Sequence, residues 1–192
     1  TLLLLMINQR TMSNYYYLIA GLPDLNLEDS KLSYTVADFK AELYDELSNV
    51  DKGLIDLFYL KFDNANVLKL LKNKEAKIDT RGNFSAEELS EYISAIKEGG
   101  TTPKEFPSYL NTFISNYYTN VAIDNDFSLL ENELASLYYA YGMSNKNKFV
   151  SSWFEFNLTM NNIFAALAAR KYKLDVAQNS VGETDVTEAL RT

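Results

Sequence analysis

There is no cysteine and no histidine anywhere in this sequence. Without cysteine there are no disulfides, no thiolate nucleophile and no Cys-ligated zinc or iron–sulfur site. Without histidine the commonest general base and the commonest transition-metal ligand are both missing. No serine has a histidine to activate it, so a catalyst would have to work with carboxylates, Lys, Tyr or Ser alone. The expectation is a non-enzyme with no cofactor and no metal. Basic residues are also outnumbered, 18 against 26 acidic ones, for a net charge of −8. Such a surface repels phosphate backbones and argues against nucleic acid as a partner. Long apolar runs are missing as well. The greasiest stretch, Leu2 to Ile7, is far shorter than the roughly 20 residues needed to span a bilayer. It has neither a basic segment before it nor a small-residue cleavage site after it. A soluble, cytoplasmic protein is expected.

Proline and glycine are sparse, at 3 and 7 of 192 residues, and strand-like alternation is rare. Together they predict an all-α chain. Aromatics are plentiful, with 14 Tyr and 11 Phe; in such numbers they fill a core or coat an interaction face. Residues 1–11 are expected to be an upstream or cloned segment. Met12 is the preferred natural start and Met6 the alternative, because Ser13, Asn14 and Tyr15 then open an ordinary domain.

Helix signals follow one another along the chain. Thr35 and Asp38 form a capping-box pattern ahead of Val36, Phe39, Leu43 and Leu47, which share one helical face. Asp51 is expected to cap a stretch carrying Leu54, Leu57, Phe58, Val67, Leu68 and Leu71. Ser85 with Glu88 is a second box, opening a helix that Gly99 and Gly100 end. Thr102-Pro103 with Glu105 predicts a short helix or turn, and Pro107 prepares a helix through Tyr117. Asp126 is expected to cap a helix closed by Gly142. The longest helix is expected from about Lys146 to Lys171, with Phe149, Trp153, Phe156, Met160, Ile163, Phe164 and Leu167 toward a core. A short helix near Val186 to Leu190 follows. Tyr15 to Ala20 has a strand-like composition but nothing to pair with.

The chain also carries a faint duplication. With a gapless shift of 96 residues, Leu57–Asp79 lies on Trp153–Asp175. Phe58 then matches Phe154, Asn66 matches Asn162, Leu71 matches Leu167 and Asp79 matches Asp175. Each copy reads as a long helix with an Asn near its middle, then basic residues, then Ile or Leu before Asp. Two units are expected, 12–100 and 101–192. Asn66 and Asn162 fall between apolar residues, and Asn is a poor helix former. The plain reading is that each bonds a neighbouring loop backbone and fixes a packing register.

Two acidic motifs have simpler explanations than metal. Lys77 to Leu89 has the turn glycine, apolar residue and terminal glutamate of an EF-hand at Gly82, Phe84 and Glu88. Its first, third and fifth positions, however, are Lys77, Asp79 and Arg81, and two cations there would repel a divalent ion. The cluster Asp124, Asn125 and Asp126 reads as a helix cap with acids in the first turn.

Asn14-Tyr15-Tyr16-Tyr17-Leu18-Ile19-Ala20-Gly21-Leu22-Pro23-Asp24-Leu25, followed by Leu32-Ser33-Tyr34-Thr35, is similar to a bacterial family of uncharacterised proteins encoded beside V-type ATPase subunits. Asp63-Asn64-Ala65-Asn66, then Gly82 and Ser85-Ala86-Glu87-Glu88-Leu89, resembles the repeat of the V/A-type ATPase C subunit, called d in eukaryotes. That repeat carries an Asp-x-x-Asn helix, a basic segment, a Gly turn and a Ser-x-x-Glu-Leu helix. The second copy keeps Asn162 but has Thr159 in place of the Asp, and the gapless shift aligns no Gly turn. The resemblance implies related helical units that could form part of a three-unit funnel. The sequence Val186 to Thr192, which reads as a helix start, leads us to expect chain missing beyond it.

By that resemblance the protein is a non-catalytic coupling or assembly subunit. It would link the central shaft of a bacterial V-type ATPase to its membrane ring, peripherally on the inner face of the cell membrane. Shaft and ring subunits would be its partners, with Asp63, Asn66, Asn162, Tyr15, Tyr16 and Tyr17 as structural or interface residues. A helical carbohydrate-binding protein or other adaptor is the first alternative. A carboxylate-only enzyme using Asp63 with Glu87 or Glu88 is the second.

Overall fold

The computed structural model describes residues 15–22, 24, 35–100, 106–119 and 127–192. Eight helices and no strands lie among them: α1 (15–21), α2 (Val36–Glu46), α3 (Asn49–Lys72), α4 (Ala86–Lys97), α5 (Ser108–Thr119), α6 (Phe127–Met143), α7 (Lys148–Tyr172) and α8 (Asp185–Arg191). The all-α expectation holds. The expected features at 102–105 and at Asp124 to Asp126 lie outside the described residues. Two compact units form, Thr1–Leu60 and Lys61–Thr192, and α3 contributes its first half to one and its second half to the other.

In the first unit the Tyr-rich segment is helix α1, not a strand. Tyr15 ties it down: its hydroxyl donates to Asp51 Oδ2 and accepts the Ser48 N–H at 2.9 Å. Helix α2 starts as expected, with Thr35 and Asp38 forming a reciprocal capping box. Helix α3 starts differently. Ser48, not Asp51, takes the capping position, its Oγ accepting the Asp51 N–H at 3.2 Å while donating to Asp51 Oδ2 at 2.6 Å. Asp51 is thus the acid one turn in, where it favours the helix dipole. Tyr44 of α2 donates to Asp56 of α3, and the Lys40 ammonium lies 4.3 Å from the Tyr59 ring centre. No residue of α2 is fully buried; among the described residues of this unit, Leu57 and Leu60 of α3 are the buried apolar ones.

The second unit is a consecutive stack: α4 packs on α5, α5 on α6, α6 on α7 and α7 on α8. Leu89, Leu110, Phe113, Ile114, Leu134 and Leu158 are buried at its centre. Phe106 is sandwiched between Phe84 and Tyr92, with ring centres 4.2 and 3.9 Å away. Tyr109 stacks obliquely on Tyr141, and Tyr138 meets Phe154 edge to face. Each such ring pair adds about 0.5–1.5 kcal/mol beyond its area burial. Gly142 is buried inside the last turn of α6, where a Cβ would overlap the Phe154 ring. Its role is close approach of α6 to α7, and the helix runs on to Met143.

Helix α7 corrects the expected core. Val150, Phe154, Leu158, Asn162, Ala166 and Ala169 are buried, whereas Phe149, Trp153, Phe156, Phe164 and Leu167 are exposed. The buried set recurs every four residues and then three, a narrow stripe along the helix whose neighbours are α6 and α8. The large aromatics, on another face of the same helix, are left outside that contact.

Candidate functional site

The polar residues buried in the second unit form two related joints. In the first, Asn66 projects from α3 and is fully buried. Its Oδ1 accepts the Asp79 N–H at 2.7 Å and its Nδ2 donates to the Asp79 carbonyl at 2.9 Å. One carboxamide thereby satisfies both main-chain groups of a loop residue 13 positions on. Three residues earlier on α3, the buried Asp63 carboxylate accepts from the N–H groups of Asn83 (2.9–3.0 Å) and Phe84 (3.2 Å). Gly82 lies against it, and a Cβ there would overlap Asp63 Oδ1. The loop then enters α4 through the expected capping box: Ser85 Oγ accepts the Glu88 N–H, and Glu88 Oε2 accepts the Ser85 N–H at 2.7 Å. Asn64 completes the joint by accepting the buried Tyr109 hydroxyl at 2.6 Å.

In the second joint Asn162 plays the same part from α7. Its Oδ1 accepts the Val181 N–H at 3.0 Å and its Nδ2 donates to the Val181 carbonyl at 2.8 Å, 19 residues on. The same Nδ2 donates to Thr187 Oγ1 at 2.8 Å. Thr187 is fully buried and is held by Thr184, the N-cap of α8. A turn glycine is present after all: Gly182, at φ +77°, sits between the clasped residue and the helix cap. Arg191 fastens the same loop, donating to Ser180 Oγ, the Ser180 carbonyl and the Gly182 carbonyl. Asp79 and Asp175 also correspond, each accepting the N–H two residues on, from Arg81 and from Ala177.

Electrostatics follow these bonds. The Arg81 guanidinium, 2.6 Å from Asp79 Oδ2 and stacked 4.2 Å from the Phe62 ring centre, holds the Asp79 carboxyl down at about 2. The Ser85 main-chain N–H, then its hydroxyl, lowers Glu88. Burial, reinforced by Tyr138 and Asp63, raises the Tyr109 hydroxyl well above its usual range. In the EF-hand-like stretch Asp79, the third-position carboxylate, is already paired with Arg81. No group of three acidic, His or Cys side chains able to hold a metal ion lies among the described residues.

The three tyrosine candidates belong to the first unit. Tyr15 is the anchor of α1 described above, while Tyr16 and Tyr17 are largely exposed and meet edge to face at 6.1 Å. Tyr17 and Leu18 of α1, with Glu42, Asp45 and Glu46 of α2, line an open cavity of about 450 Å³. Of the two carboxylates considered beside Asp63, Glu88 is committed to its cap and Glu87 is exposed. Sequence reasoning missed Thr187, Gly182 and Arg191. A signal existed: Gly182 followed by Thr184-x-x-Thr187 parallels Gly82 followed by Ser85-x-x-Glu88.

No described helix is long and apolar enough to cross a membrane. A family model described as "Protein of unknown function (DUF2764)" matches residues 12–192. No curated protein and no solved structure matches the chain.

Proposed function

The chain thus belongs to the DUF2764 family, and for this member we propose a non-catalytic coupling or assembly role in a bacterial V-type ATPase, between central shaft and membrane ring. The observation that carries the reading is the first joint. Asp63, Asn66, Gly82, Ser85 and Glu88, the residues that resemble the repeat of the V/A-type ATPase C subunit, form one continuous structure. Each has a defined mechanical task. Asp63 and Asn66 clamp the loop main chain, Gly82 allows the close approach, and the box fixes where α4 begins.

Such joints suit a part that transmits force. A loop held by a buried carboxamide through two bonds cannot slide without exposing unsatisfied main-chain groups, which costs about 1–3 kcal/mol each. The same joint recurs at Asn162, so the unit is stiffened at both ends of its helical stack. The acidic, tyrosine-lined cavity between α1 and α2 suits a basic partner surface. Location on the inner face of the cell membrane, through those partners, follows from the same reading.

The test is purification of the tagged full-length protein from its native host, with mass spectrometry of what accompanies it. Shaft and membrane-ring subunits at near-stoichiometric levels are expected. Recovery of the protein without them, while the ATPase is intact in the same lysate, would overturn the proposal.

A further inference from the structure

Helix α7 exposes a stripe of large apolar side chains that its own fold does not need. Phe149 is 71 % exposed, Phe156 58 %, Phe164 61 % and Leu167 58 %. Trp153, 45 % exposed, lies in the same row and stacks on Phe149. With partly exposed Met160, the row runs 149, 153, 156, 160, 164 and 167, steps of four and three residues. At about 100° and 1.5 Å per residue these positions share an arc of about 80° and a length of about 27 Å. That alternation is the seam of two helices packed side by side.

The charge around the stripe is opposite in sign to that of the chain as a whole. Residues 148–173 contain Lys148, Arg170, Lys171 and Lys173 against a single acid, Glu155, or 4 − 1 = +3. With a total of −8, the other residues together carry −8 − 3 = −11. The basic residues stand at the two ends of the stripe, leaving its middle uncharged apart from Glu155. A second copy of the chain fits poorly, because antiparallel pairing of α7 about Met160 sets Lys148 opposite Tyr172, between Lys171 and Lys173. Parallel pairing sets each of these lysines against itself. The stripe is also too small for a stable dimer. A handful of partly exposed aromatic and aliphatic side chains offers a few hundred Å², below the roughly 800 Å² per partner of a standard interface. It is the size of one docked helix.

We propose that the exposed face of α7 docks an amphipathic helix of another protein, with an apolar stripe along its length and acidic residues near its ends. The apolar row supplies the contact, and Lys148 and Lys171 set orientation and exclude basic helices. The inference stands on α7 alone and is independent of the ATPase reading.

Trp153 is the chain's single tryptophan, so its fluorescence reports directly on this face. The experiment titrates full-length protein with two synthetic helical peptides that share one Leu/Ile stripe and differ in carrying Glu or Lys at both ends. The acidic peptide should shift Trp153 emission to the blue and bind at least about tenfold more tightly than the basic one. Phe156→Glu and Leu167→Ser, both at exposed positions, should each weaken binding about tenfold or more while the circular dichroism stays unchanged. Lys148→Glu combined with Lys171→Glu leaves the apolar row intact and should reverse the preference between peptides. Equal binding of both peptides, or no shift with either, overturns the proposal. So does a blue shift that appears only with protein concentration and accompanies dimers in sedimentation, or only with phosphatidylglycerol vesicles. The former would assign the face to a second copy and the latter to a lipid surface.

Discussion

Asn66 and Asn162 make the same pair of bonds to the main chain of one later residue, Asp79 in one case and Val181 in the other. A carboxamide is suited to this at neutral pH, because it presents a donor and an acceptor side by side. Asn66→Ala should therefore destabilise the protein by about 2–3 kcal/mol and Asn162→Ala, which also loses Thr187, by about 3–4 kcal/mol. The isosteric Asn→Asp changes remove the donor and bury a carboxylate against a carbonyl, so they should cost at least as much. Urea unfolding midpoints check this; a loss under about 0.5 kcal/mol for both alanine variants would mean the clasps are incidental.

The signals that were legible in the sequence were local ones. Thr35 with Asp38 and Ser85 with Glu88 are capping boxes whose partners lie three residues apart, so no tertiary information is needed to see them. The matched asparagines were visible because α3 and α7 keep a fixed spacing between them. The second turn glycine was hidden by a change in loop length: Asn66 precedes Gly82 by 16 residues, but Asn162 precedes Gly182 by 20. A gapless shift cannot carry both. The buried face of α7 was illegible for another reason. This helix is apolar on two faces at helical spacing, and periodicity does not say which face meets α6 and α8. The burial of Asn162 and Ala166 was the deciding fact, and it belongs to packing.

Gly82 and Asp63 offer a sharper test of the first joint. A methyl group at Gly82 would overlap Asp63 Oδ1, so Gly82→Ala should cost more than the usual surface change, about 2 kcal/mol or above. Asp63→Ala leaves the Asn83 and Phe84 N–H groups without this acceptor and should cost a similar amount. Because the clash needs both residues, the double variant should be more stable than the sum by about 1 kcal/mol or more. Additivity within the error of unfolding measurements would show that the two do not meet.

Acid should weaken the fold through its helix starts. Hydrogen bonds hold Asp38, Asp51 and Glu88 below their ordinary values of 3.8, 3.8 and 4.5, the bonds coming from Thr35, from Ser48 with Tyr15, and from Ser85. Arg81 holds Asp79 at about 2. A carboxylate depressed in the folded state is protonated first in the unfolded chain, so its contribution is complete above about 4.5 and is lost as pH falls toward 2. Urea midpoints should be flat from pH 7 to 5 and fall between pH 4.5 and 2. Glu88→Gln should be less stable at pH 7 and lose less on acidification. A midpoint unchanged down to pH 3 would contradict these assignments.

Alkali acts on the tyrosine core with the opposite sign. Burial pushes Tyr92 up to about 12 and raises Tyr109 and Tyr138 as well, while burial and then the bond to Asp56 raise Tyr44. These phenols stay neutral in the folded protein at a pH where the unfolded chain ionises, near the ordinary value of 10.0. The folded state therefore loses stability as pH rises above about 10, because unfolding releases protons. Tyrosinate absorbance and helix circular dichroism should rise and fall together in the last part of an alkaline titration. Tyr92→Phe removes one such phenol without changing ring packing on Phe106, and should move the alkaline unfolding midpoint to higher pH. Complete tyrosinate formation with the helical signal intact would mean that these rings are hydrated in solution, and that the aromatic packing around Phe106 is looser than the ring distances of 3.9 and 4.2 Å imply.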